Sequence, residues 1–238
     1  MLQIERSGHG PDMTLFQPFL VLHISTGMAA VLVGFGPLLT AKGSRAHRLW
    51  GRAFVVLMTT LLAGAWVMTA LRFNTYFLAL SATASLTLFS GVRVLGRKRP
   101  DVRPQDRARP LDWAATFGAL GIGVWVLALI AMGRSDGPPV VSAALAYGAL
   151  SVAAWDLWRF SRPRDWPFSP DLWRYEHLVK VLSAHAAVLS AFSGNFLTFL
   201  PQPWSQLWPT VLFQSMAVIW TATLILRRRA RITRTGPA

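Results

Sequence analysis

The 238-residue sequence has no cysteine, which excludes disulfides, iron–sulfur clusters, thiolate zinc sites and a cysteine nucleophile. Acidic side chains are scarce: 10 Asp and Glu stand against 24 Lys and Arg, so charged residues make up only 14% of the chain. A soluble domain carries about 25%. There is no H-E-x-x-H and no Gly-rich phosphate loop, the spacings that mark zincin and nucleotide chemistry. What is abundant is apolar: 53% of residues are hydrophobic and 11 are Trp.

Those apolar residues fall into seven stretches of membrane-spanning length, at 18–39, 49–71, 76–95, 111–132, 140–160, 177–199 and 207–226. Punctuation supports the ends: Lys42-Gly43-Ser44, Pro100 and Pro104, Gly137-Pro138-Pro139, Pro201 and Pro203. The sequence therefore predicts an all-α, polytopic bundle of seven transmembrane helices over 18–226. A polar tail precedes it at 1–17 and a basic tail follows it at 227–238. Glu5 and Asp12 spoil a basic leader, so the first stretch is expected to be a retained span and not a signal peptide.

The net charge of +14 would suggest a nucleic-acid partner if it covered one face. Instead it alternates between connections. On the seven-span scheme, 21 basic residues lie on one side and only Arg6, Arg72 and Arg134 on the other. Basic residues are retained on the cytoplasmic side, which puts the N-terminus outside and the C-terminus in the cytoplasm. The charge is then accounted for by topology and contact with anionic lipid, with no nucleic acid.

Ionisable groups inside spans are costly and mark candidate sites. His47, Asp112, Asp156 and the Glu176-His177 pair all sit near cytoplasmic helix ends. Two chemistries suit them: a b-type haem held between His47 and His177, or a zinc or iron ion held by His47, His177, Asp112 and Asp156 with an open position for an activated water. His23 and His185 would hold a second haem, although the spans put them at heights about 10 Å apart. The purely structural alternative has Asp112 capping span four, Asp156 pairing with Arg159 or Arg93, and the histidines hydrogen-bonded. His9, between Gly8 and Gly10, is expected to be solvated.

Small residues mark close helix approach: His23, Gly27, Ala30 and Gly34 form one stripe, and Ser183, Ala187, Ser190 and Gly194 another. Ser81, Ala84, Ser85 and Gly91 form a looser one. Trp50, Trp158, Trp173, Trp204 and Trp208 are placed as an interfacial aromatic belt.

The run His23-Ile24-Ser25-Thr26-Gly27, then Gly34, then 42–52 with its second His-x-x-x-Gly pair (His47, Gly51), resembles an uncharacterised bacterial family of multi-pass membrane proteins, domain of unknown function 2306. The likeness continues through Ser90-Gly91-Val92-Arg93, Leu111-Asp112-Trp113, Trp155-Asp156-Leu157, Glu176-His177, Ala191-Phe192 and Trp208-Pro209-Thr210. It implies a bacterial inner-membrane protein in which His23, His47, Asp112, Asp156 and His177 occupy family-like positions and His185 does not, which weakens the two-haem arrangement. It implies no activity. The site is expected to bind haem or metal for membrane redox chemistry. Its alternatives are a non-catalytic subunit that joins a membrane-protein partner or its own copies, a small transporter, and a zinc-dependent membrane hydrolase. That last class lacks here its His-x-x-x-His pair.

Overall fold

The computed structural model describes residues 11–168 and 170–235, with side chains described from 15 to 230 apart from 169; His9 lies outside the described residues. Among them helices account for nearly everything and no strand occurs. The helices are α1 (Pro11–Val33), α2 (Phe35–Leu39), α3 (Arg45–Leu71), α4 (Thr75–Arg93), α5 (Pro110–Ala131), α6 (Pro139–Ser161), α7 (Leu172–Phe196) and α8 (Trp204–Thr235).

Local chemistry sets the ends. Ser44 accepts from the His47 amide at 3.1 Å and starts α3, and Asn74 does the same for α4 through Phe77. Pro110 and Pro139 open α5 and α6 at the position where the missing N–H costs nothing. The first expected span is broken near Gly34, because Pro37 has no N–H to donate to Val33 and its ring crowds that carbonyl. Beyond α2 the chain reverses through Gly43, whose φ of +78° is left-handed.

Helices α4 and α7 form the centre. α4 packs on α3, α5, α6 and α7, while α7 also carries α8 and touches α1. The main apolar core lies among α1, α3, α7 and α8, around Phe54, Met58, Leu182, Leu189 and Phe213; two smaller clusters join α4, α5 and α6. The outside is apolar too, with Leu32, Val124 and Ile219 among its exposed side chains. A soluble monomer rarely shows so continuous an apolar exterior; lipid removes the penalty.

Among the described residues six helical segments are long and apolar enough to cross a membrane. α7 is the exception among the long helices: Arg174 and Glu176 lie in its first turns, and Lys180, His185 and Asn195 make the rest less apolar than the other helices. Its neighbours take over the role of lipid: Tyr175, Glu176, Lys180 and His185 on α7 are all buried in protein.

The stripe on α1 does face inward. Ala30 has no exposed surface, and a Cβ on Gly27 would meet Leu61 at 3.0 Å. The stripe on α7 behaves differently: Ser183, Ala187 and Ser190 line a cavity, and only Gly194 is pressed against a side chain, Gln206. Trp208 also departs from the expected belt, since its Nε1 donates inward to Ser193 at 2.6 Å.

Candidate functional site

Asp156 and Arg159, three residues apart on α6, share a face, as do Glu176 and Lys180, four apart on α7. The two faces meet against Ser90 of α4. Lys180 Nζ lies 2.5 Å from Asp156 Oδ1 and donates to Ser90 Oγ at 2.8 Å, and Ser90 Oγ in turn donates to Asp156 Oδ2 at 2.5 Å. Asp156 is 1% exposed and Lys180 3%, so these charges are held in protein and must be paired. Glu176 accepts from Trp155 Nε1 at 2.7 Å and lies 3.7 Å from Arg159 Nε and 3.8 Å from Lys180 Nζ. Two cations and two carboxylates thus form one electrically balanced cluster.

Asp112 belongs to a neighbouring group. Arg93 grips both its oxygens at 2.9 Å, the Arg109 amide donates to Oδ2 at 2.8 Å, and Arg97 Nη1 stands 3.8 Å away. Asp112 therefore caps α5 as the structural alternative held, while Asp156 takes Lys180 in place of Arg159 or Arg93.

The histidines do different work. His47 Nδ1 donates to Pro37 O at 3.1 Å, joining Lys42 in covering the carbonyls that α2 leaves unpaired. His177 Nδ1 donates to Gly91 O at 2.8 Å near the end of α4. His23 Nδ1 donates to Leu61 O at 3.0 Å. His185 Nε2 donates to Val31 O at 3.1 Å, at the break between α1 and α2, inside a ring of Phe35, Phe54 and Phe213. His185 meets α1 eight residues beyond His23, about 12 Å along the axis, so the two do not form a pair.

These placements correct the expected metal set. Among the described residues no group of three or more His, Asp or Glu is placed to hold a metal ion. Asp112 and Asp156 are spent on arginine and lysine, so His47, His177, Asp112 and Asp156 do not form a zinc or iron site. A large cavity in the bundle has no histidine on its walls.

That cavity, about 520 Å³, runs between α4, α6, α7 and α8. Since α6 packs on α4 and α5 while α8 packs on α7, a cleft remains between α6 and α8. Tyr147, 73% exposed, stands at its mouth on the flank of the bundle. The walls are mainly apolar, with Leu80, Leu145, Val152 and Val179 among them. Their only charged members are Glu176 and Lys180, which gathers the charge at one end.

Sequence reasoning missed Lys180 by counting it among the loop cations. The signal was present: Glu176 and Lys180 stand at i and i+4, and Lys180 lies inside the sixth apolar stretch. Compared with known proteins, the chain matches no family model, no curated protein and no solved structure.

Proposed function

We propose that this is a seven-span protein of the bacterial inner membrane that binds an amphiphile in the cleft between α6 and α8. The apolar part lies along Leu145, Val152 and Val179, and the polar head sits by Trp155, Glu176 and Lys180. The cavity itself carries this reading: its volume is that of a small-molecule site, its mouth opens on the apolar flank, and its charge is confined to one end. The same arrangement gives the balanced cluster a purpose that core packing does not supply, because Lys180 and Glu176 both line the cavity. α7 counts as the seventh span, and the uneven distribution of basic residues supports an outer N-terminus and a cytoplasmic C-terminus. The membership suggested by the two His-x-x-x-Gly pairs is part of the same proposal.

Photo-cross-linking of the full chain with a diazirine-bearing diacylglycerol, mapped by mass spectrometry, tests it. Labels concentrated on cavity residues such as Val152 and Thr210, and displaced in Ser151→Phe, are expected. Labels spread evenly over outward residues such as Val218 and Ile219 would overturn it.

A further inference from the structure

Arg97 and Arg159 are both more than nine-tenths buried, yet Arg97 Nη1 and Arg159 Nε and Nη1 have no hydrogen-bond partner. Their nearest carboxylates, Asp112 and Glu176, stay at 3.8 and 3.7 Å. Buried guanidinium N–H groups left open in this way call for an acceptor. Both arginines line one small pocket of about 20 Å³, and the exposed Arg107 stands at its mouth. Space of that order admits one water, or a single oxygen of an oxyanion that enters from the mouth.

The surrounding chemistry favours the oxyanion. Phe160 and Trp166 lie against the faces of Arg97 and Arg159, so the guanidinium edges alone remain for hydrogen bonding. Of the two acids on the wall, Asp106 is occupied by the Arg99 amide at 3.0 Å and Glu176 by Trp155. Three arginines against two acids leave the pocket a net cation. Glu176 also lines the large cavity, so the two spaces adjoin across one side chain.

We infer that Arg97, Arg159 and Arg107 form a site for a phosphoryl group, which gives the amphiphile in the cleft an anionic head. Planar guanidinium edges suit phosphate oxygens at several N–H donors at once. The lipid source rests on the proposed cleft occupant; the phosphoryl site itself does not.

Native mass spectrometry of the full chain in detergent separates the two. Phosphatidic acid, diacylglycerol with the same acyl chains, and inorganic phosphate are each titrated against the unmodified protein, Arg107→Gln and Arg159→Gln. Phosphatidic acid is expected to bind at least about tenfold tighter than diacylglycerol, and the preference to vanish in both variants. Arg107 is exposed, so its variant keeps the test valid if Arg159→Gln does not fold. Equal binding of the two lipids overturns the anionic head and leaves the cleft reading standing. Absence of both lipids overturns the cleft, and phosphate binding that is lost in Arg107→Gln then supports the site with a soluble source. Indifference to phosphate and to the lipid head together overturns the site, leaving the pocket to water.

Discussion

Lys180 and His185 sit five residues apart on α7 and point to opposite sides of it, since five steps turn a helix about 140° away from the starting direction. One side meets α4 and α6, the other α1, α3 and α8. Lys180 is buried by exchanging hydration for Asp156 and Ser90, two partners fixed on different helices. His185 is buried by apolar rings and by a single backbone carbonyl that a helix break has set free. These two buried groups thus follow different rules: the charge takes a matched charge, whereas the imidazole takes an orphan carbonyl. The first rule yields side chains that also reach a cavity. The second yields fastening.

The sharpest way to break the comparison is to leave Lys180 without its partner. Asp156→Ala should cost about 3–5 kcal/mol in an unfolding titration in detergent, because it leaves a buried cation uncompensated. Asp156→Leu combined with Lys180→Met should recover most of that loss; a double variant as unstable as the single one would show that the pair itself holds the helices.

On the opposite face, Gly34→Ala places a methyl 2.6 Å from His185 Nε2, and the three surrounding aromatic rings give that imidazole nowhere to go. A loss of about 1–3 kcal/mol is expected by the same titration. Gly51→Ala is the control. No heavy atom lies within 4 Å of its added Cβ, so the helix-propensity gain of about 0.5–1 kcal/mol should appear undiminished. The two His-x-x-x-Gly pairs therefore hide unlike glycines: a Cβ on Gly27 would meet Leu61 at 3.0 Å, and one on Gly51 would meet nothing within 4 Å.

His185→Leu should cost about 1–3 kcal/mol by stranding Val31 O. His47→Ala should cost less, since Lys42 also donates to Pro37 O, at 2.7 Å. If the two losses were equal, carbonyl capping would not be what distinguishes these histidines.

The smallest effect lies outside the spans. Asp136 accepts from Thr75 Oγ1 at 2.6 Å and Thr75 N at 2.8 Å, and these bonds hold its carboxyl below the usual range. A folded-state value below the unfolded one means that its stabilisation is complete above about pH 3.9 and is lost as pH falls towards the lower folded value. The difference in apparent melting temperature between the unmodified protein and Asp136→Asn should accordingly be constant from neutral pH down to that point and shrink below it.

Much of the fold was legible because hydropathy marks the apolar helices, six of which among the described residues are long and apolar enough to cross a membrane. The stretch at 177–199 was legible as a helix and shifted in its bounds, since its first turns, charged at Arg174 and Glu176, are paid no heed by an apolar count. The candidate site was legible only in part. Asp156 and Glu176 stood out as carboxylates near spans, and Asp112 was readable as a cap from its place two residues after Pro110. The pairing of Lys180 with Asp156 and of Arg159 with Glu176 was not, because it depends on which helix faces show towards each other, and neither spacing nor hydropathy encodes helix order.

By itself, the sequence determined an all-helical, lipid-compatible chain, because length, apolarity and proline position act locally. Only the tertiary structure decided that the histidines serve backbone carbonyls, that Asp156 takes Lys180, and that α6 and α8 stand apart over a cavity. Those outcomes depend on contacts between residues far apart in the chain, where geometry alone selects which donor reaches which acceptor.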